Sequence, residues 1–308
     1  MEEHSRGAQT QGDRGLREAI ETYRQLRDEL SRDHPLPADA MPVIVGPLSE
    51  LFELLVEQPA GFFARREAMV RRIRQAWRES GAILDPERSE AVLDAISRVP
   101  RELFVSEEAR ELAYLPTPLS IGHEQTISSP LVVATLALAA GSNKNGCVLD
   151  VGTGCGYQAA VLSLLYNRVV SVEIIPELAS AAAARLRRLG YTNIEVFEGD
   201  AVTAITDAQR FDAVVIAAGS SGIPLTLLQS LKIGGRLVAP VGPETGDEQL
   251  VCISRTSERE FVRGSLGPAR FVSLQGVAAR ASRHENGSMT RLPYCFGAPI
   301  LTTQSDTE

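Results

Sequence analysis

The chain has 308 residues, 44% hydrophobic and 23% charged, with a net charge of −8; this is the balance of a globular protein with a full core, and it argues against general affinity for nucleic acid or an anionic membrane. The longest uncharged apolar run, 131–140, is about half of the ~20 residues a membrane span needs, and the charged N-terminus has no secretory h-region, so a cytoplasmic protein is expected. Cys147, Cys155, Cys252 and Cys295 form no CxxC pair and His4, His34, His123 and His284 form no HxxxH pattern, so neither a metal site nor a disulfide framework is expected.

Leu16, Ile20, Tyr23, Leu26 and Leu30 recur at helical spacing, and 48–56 reads as a second short apolar helix. Between them "DHPLPADAMPVIVGP" carries four prolines, which forbid regular structure. Residues 1–64 therefore form an N-terminal extension, either a solvated packing arm or a recognition element. Helices are predicted over 68–79 and 86–97, followed by "VPRELFV". The stretch "PLSIGHEQTISSP", 118–130, is punctuated by Pro118, Gly122 and Pro130 and is expected to be a polar loop. Ser128 or Ser129 stands where a helix N-cap would, with Pro130 as the first helical residue.

Beyond that loop, strands and helices alternate. "GCVLDV" precedes a helix near 157–166, "RVVSVEI" precedes one near 176–189, then come "IEVFEGD", "FDAVVIAA", a helix near 224–231, "GRLVAPVG", "QLVCISR" and "ARFVSL". Continuous apolar strands alternating with amphipathic helices predict a doubly wound, mostly parallel α/β sheet covered on both faces, with the last strands antiparallel. Residues 65–276 form this domain, and 277–308 are expected to be a surface tail.

"VLDVGTGCGYQ", 148–158, is a buried strand ending in Asp150, then Gly152, Thr153, Gly154 and Gly156, then a helix. Three glycines at a strand-to-helix turn let a ligand approach the backbone and the helix N-terminus. A dinucleotide site prefers GxGxxG; the spacing here is DxGxGxG. That spacing resembles the first motif of class I S-adenosylmethionine-dependent methyltransferases, which implies a Rossmann-like fold and a loop backbone that holds the methionine part of the cofactor. Glu173 ends the second strand about twenty residues after the glycines, where the resemblance implies acceptance of both ribose hydroxyls; the alternative is a strand-end cap. Asp200, followed by Ala201, would stand near the adenine edge, or would be a plain turn aspartate.

"VPRELFV", "PLSIGHEQTISSP", "VGTGCGYQAAVL", "VVSVE" and "LKIGGRLVAPVG", in this order, resemble the protein-L-isoaspartate O-methyltransferase family from about residue 66 to 276. The resemblance implies methylation of the α-carboxylate of L-isoaspartyl residues in damaged proteins or peptides, the start of their repair. It also implies that Gln125, Thr126 and Ile127 cover the cofactor and that Ser128 is the active-site residue; the alternative is that Ser128 only caps a helix. The chemistry suits a serine. A carboxylate is already ionised near neutral pH, so it needs alignment at about 3–3.5 Å and exclusion of water rather than a general base.

Bacterial members of the family often have glycine at the positions of Glu124 and Ala201, and an Ala-Pro element near 217–224. A carboxylate at Glu124 would repel an anionic substrate by about 1 kcal/mol at 4 Å in water, unless it points outward or pairs with a cation. Two other functions remain open from the residues: a dedicated aspartyl or isoaspartyl methyltransferase acting on one peptide, and a non-catalytic adaptor that binds the cofactor.

Overall fold

The computed structural model describes residues 57–80, 84–205, 210–242, 248–269, 271–272 and 274–276, with residue 54 and the backbone of 290–291. The helices predicted around 16–30 and 48–56, and the predicted tail apart from that backbone, lie outside the described residues.

Helix α1 (Phe62–Glu79) begins at Phe62, earlier than the predicted 68. Gly61, at φ 84°, ends the preceding chain, and Phe62 packs against the core with its ring 6.4 Å from that of Tyr114. Helix α2 (Pro86–Arg98) has the proline at N1 and a working cap, because the Asp85 carboxylate accepts from the Arg88 N–H at 3.0 Å.

The stretch expected to be a loop instead folds as a hairpin of β1 (Leu119–Gly122) and β2 (Gln125–Ile127). Leu119 pairs with Ile127, and both are buried. His123 and Glu124 make the turn with φ of 53° and 57°, the left-handed conformation that a tight hairpin demands at its central residues. Turn-forming composition concealed the strands because each is so short. Helix α3 (Pro130–Ala140) follows.

The α/β core then runs β3 (Asn143–Val151), α4 (Tyr157–Ser163), β4 (Tyr166–Glu173), α5 (Pro176–Arg188), β5 (Ile194–Glu198), α6 (Ala201–Ala204), β6 (Phe211–Ile216), α7 (Leu225–Gln229), β7 (Leu231–Val241), β8 (Glu248–Arg255) and β9 (Phe261–Ala269), with a short β10 (Thr290–Arg291). The eight strands lie in the order β10–β9–β8–β7–β6–β3–β4–β5. Strands β3 to β7 are mutually parallel, and β8 is antiparallel to both β7 and β9. The strand after β8 thus falls at 261–269: of the predicted "ARFVSL" only Ala269 belongs to it, Phe271, Val272 and Leu274 are outside any strand, and residues 270 and 273 lie outside the described residues. Gly264, Gly267 and Pro268 break the apolar pattern of β9 in the sequence, while its pairing with β8 satisfies the backbone.

Alternation along the central strands sends Val148 and Val169 to one face, under α2 to α4, and Leu149, Val151, Val170 and Val172 to the other, under α6 and α7. The chain leaves β3 toward β4 on one side and returns through β6 on the other. That reversal of direction opens a crevice at the carboxyl ends of the strands.

Candidate active site

The crevice is a cleft open to solvent, whose floor is the glycine loop and whose walls come from the ends of β4, β5 and β6. Gly152, Gly154 and Gly156 have φ of 90°, 52° and 91°, which side chains adopt only with strain. Contacts enforce two of them. A Cβ on Gly154 would meet Cδ1 of Ile121 at 3.2 Å, and one on Gly156 would meet Leu186 at 3.2 Å. The hairpin therefore rests directly on the loop.

Glu173 is buried and lines the cleft. Its Oε2 accepts the Gly154 N–H at 2.7 Å, and its Oε1 accepts the Ile175 N–H at 3.0 Å. A carboxylate has about four lone-pair positions, so each oxygen keeps acceptor capacity toward the cleft.

Asp150, expected among the cofactor-binding residues, is fully buried behind the loop and is not part of the cleft lining. It lies opposite Ser171 in the β3–β4 register. The Ser171 hydroxyl donates to Asp150 Oδ2 at 2.7 Å and lies 2.6 Å from the Thr153 hydroxyl, so Asp150 reaches the loop only through two hydroxyls. Its Oδ1 is buried without a hydrogen-bond partner.

Burial pushes the Asp150 carboxyl up to about 7; Ser171 opposes the shift and Glu173 adds to it. In the unfolded chain it ionises near the ordinary 3.8. Between those values the folded state holds a proton that the unfolded state has lost. Stability therefore falls as pH rises through that window, by up to ~1.4 kcal/mol per unit. Asp150→Asn cannot ionise and is expected to flatten this part of the curve. Urea unfolding at about pH 5 and about pH 8 checks it: equal pH dependence in both proteins removes Asp150 from the account.

The opposite side of the cleft is the hairpin and the turn into α3. Gln125, Thr126, Ile127 and Ser128 all line it. The N-cap position of α3 belongs to Ser129, whose side chain makes no capping bond. The Ser128 hydroxyl, likewise, makes no hydrogen bond among the described residues. Glu124 is exposed at the hairpin tip and is not part of the cleft lining. At this exposed tip solvent and salt screen its charge, which weakens the repulsion it would exert on an anionic substrate.

Asp200 and Ala201 line the far end. Asp200 is also the N-cap of α6, its Oδ1 accepting the Val202 N–H at 2.8 Å. Gly276 lies so close that a Cβ there would be 2.1 Å from Asp200 Oδ2.

Several cleft residues had no signal in the sequence. Val272, Leu274 and Gln275 form a wall, held there because the Gly219 N–H donates to the Val272 carbonyl at 2.8 Å and Leu274 donates back to the Gly219 carbonyl. Gln158 lines the cleft at 6% exposure with both amide atoms unpartnered among the described residues, and Tyr157 beside it is buried against Arg101. Both follow the glycine loop directly, and this was the only available clue. Arg101, fully buried beneath the turn, donates from Nη2 to the Ser128 carbonyl. In the sequence it lies in the block "VPRELFV", with no sign that its side chain is buried.

A sheet of this order, with a glycine loop after its first central strand, an acid ending the next and a cleft at the reversal point, is the Rossmann-like arrangement of class I methyltransferases. Among solved structures, a protein-L-isoaspartate O-methyltransferase is similar with a TM-score of 0.59 at 23% identity, covering 70% of this chain and 67% of that one. A second, from Plasmodium falciparum and described as a putative protein-L-isoaspartate O-methyltransferase in complex with S-adenosyl-L-homocysteine, has a TM-score of 0.56 at 21% identity, covering 68% of this chain and 98% of its own. At those identities the likeness is one of fold.

Sequence comparison goes further. The family model described as protein-L-isoaspartate(D-aspartate) O-methyltransferase (PCMT) matches residues 73–279. Protein-L-isoaspartate O-methyltransferase 2 of Marinobacter nauticus is 48% identical over 185 residues, 60% of this chain and 84% of the relative. The corresponding protein of Rhodopseudomonas palustris is 44% identical over 186 residues, 60% of this chain and 85% of the relative. The chain belongs to the protein-L-isoaspartate(D-aspartate) O-methyltransferase family.

Proposed function

We propose that the cleft holds S-adenosylmethionine against Gly152, Thr153, Gly154, Gly156, Glu173, Asp200 and Ala201, beneath Gln125, Thr126 and Ile127, and that Ser128 orients the substrate carboxylate. The activity is that of the family: transfer of a methyl group to the α-carboxylate of L-isoaspartyl residues, which begins repair of damaged aspartyl and asparaginyl sites. A cytoplasmic location and protein or peptide substrates carrying isoaspartate belong to the same reading. Among the described residues no helix is long and apolar enough to cross a membrane.

The cleft suits the cofactor by its own chemistry. Gln158 presents a donor and an acceptor that are unpartnered among the described residues, and Glu173 keeps lone pairs for two hydroxyls. When bound, S-adenosylmethionine supplies an electrophilic methyl on sulfonium. This chain's residues then have to bind, orient and exclude water. The hairpin, seated on Gly154 through Ile121, covers the loop. Ser128 offers a hydroxyl to a carboxylate that needs no deprotonation.

The observation that carries the assignment is that Ser128 lines the cleft while its hydroxyl makes no hydrogen bond among the described residues. The outward Glu124 gives no support to a dedicated aspartyl substrate, and the complete cleft gives none to a non-catalytic adaptor. A peptide carrying isoaspartate, assayed beside its normal aspartyl twin, is expected to be the one methylated; equal methylation of both would overturn the substrate assignment. Of the N-terminal residues 1–64, the part before Gly61 is proposed to be dispensable for this chemistry, since α1 begins at Phe62 and the family match at residue 73. A chain starting at Gly61 is expected to methylate the same peptide, and loss of fold or of that activity would refute the assignment of an extension.

A further inference from the structure

Arg101 has no exposed surface, and a buried charge is costly unless its hydrogen bonds are made. Two of them are made: Nε donates to the Ala113 carbonyl at 2.7 Å and Nη2 donates to the Ser128 carbonyl at 2.7 Å, while Nη1 is buried without a geometric hydrogen bond among the described residues. Its guanidinium carbon lies 4.8 Å from the centroid of the Tyr157 ring, within cation–π range. Tyr157 is the first residue of α4, directly after Gly156. A single side chain therefore connects the turn that carries Ser128 to the end of the glycine loop.

The anchor of Arg101 is itself fixed. It opens the short turn Arg101–Leu103, and the next residue, Glu102, is buried and accepts from the Tyr114 hydroxyl. The backbone carbonyl of Tyr114 in turn accepts from Nη2 of Arg72, on α1, at 2.8 Å. Ser128, by contrast, receives no hold through its own side chain.

We infer that Arg101 is a positioning residue for methyl transfer: by gripping the Ser128 peptide and packing on Tyr157, it sets the Ser128 hydroxyl in register with the glycine loop. The inference rests on the reading of Ser128 given above. Arginine suits the task because its planar fork directs separate N–H groups to two carbonyls while its flat face lies on a ring. Lysine, a compact ammonium, cannot do all three. Placement matters because a shift of about 1 Å at a reacting group can cost on the order of a hundredfold in rate.

The test is a double-mutant cycle on the full chain, comparing the parent with Ser128→Ala, Arg101→Met, the double variant and Arg101→Lys. The measurements are kcat and KM on an isoaspartyl peptide, S-adenosylhomocysteine affinity by calorimetry, and melting temperature. Arg101→Met is expected to lower kcat by roughly ten- to a hundredfold with S-adenosylhomocysteine affinity nearly unchanged. The double variant is expected to turn over no more slowly than Ser128→Ala alone, because a displaced hydroxyl and a missing one cost the same step. Losses that multiply would mean that Arg101 acts independently of Ser128 and would overturn the inference, as would an unchanged kcat in folded Arg101→Met. If the methionine variant does not fold, Arg101→Lys enters the same cycle with the same criteria. Normal turnover in Ser128→Ala would instead remove the Ser128 reading itself, a separate and distinguishable failure.

Discussion

Replacing Ser128 by alanine is expected to slow methyl transfer by roughly ten- to a hundred-and-fifty-fold, the equivalent of one charge-assisted hydrogen bond of about 1.5–3 kcal/mol made mainly in the transition state. The melting temperature should barely move. A serine that caps a helix would lose ~1 kcal/mol of stability on the same change, but the N-cap of α3 is Ser129, whose side chain makes no capping bond, and the Ser128 hydroxyl makes none among the described residues. Single-turnover rates and thermal melts on one preparation separate the two roles. A variant that melts early yet turns over normally would sink the assignment of Ser128 to substrate.

Glu173→Ala should act on the other partner. Loss of its charged acceptor is expected to weaken S-adenosylhomocysteine binding by about 1.5–3 kcal/mol, roughly ten- to a hundred-and-fifty-fold in Kd. Part of that cost is local. The Gly154 and Ile175 N–H groups that Glu173 now receives would lose their acceptor, and the glycine loop would lose one of the bonds that tie it to β4. Glu173→Gln keeps one carbonyl acceptor, so it should bind more tightly than the alanine variant. Calorimetry on both decides the point: unchanged affinity in a folded Glu173→Ala protein removes this residue from the cofactor site.

The two variants fail in opposite ways, which is what a cleft with a cofactor side and a lid side predicts. Ser128 stands on the hairpin side and Glu173 at the end of β4. A single folding defect would depress rate and affinity together in either variant.

Much of this architecture was legible in the chain itself. Continuous Val, Ile and Leu runs can be satisfied only by a sheet buried on both faces, so "VLDV", "VVSVE" and "DAVVI" announce β3, β4 and β6 before any fold is known. Glycine announces itself for a similar reason: positive φ at Gly152, Gly154 and Gly156 is a local demand that other residues meet only with strain. What failed were elements whose stability is not local. The hairpin at 119–127 is built of residues that favour turns, and it exists because Leu119 and Ile127 are buried together and Ile121 lies on Gly154. Strand β9 hides behind its glycines and proline because its pairing with β8 supplies what composition does not.

The sequence by itself determined the class of sheet, the glycine loop and the acid that ends β4, because each follows from a periodicity or a backbone requirement within a few residues of itself. Only the tertiary structure decided which polar groups line the cleft and which lie behind it. Asp150 and Glu173 stand at the carboxyl ends of neighbouring strands, yet one is sealed behind two hydroxyls and the other lines the cleft. Arg101 is separated from Ser128 by 27 positions, and although it lies in the family-like block "VPRELFV", nothing there says that its side chain is buried or which groups it meets. Burial and partner choice depend on chain segments meeting in space, and that information is present in the sequence only through the fold as a whole.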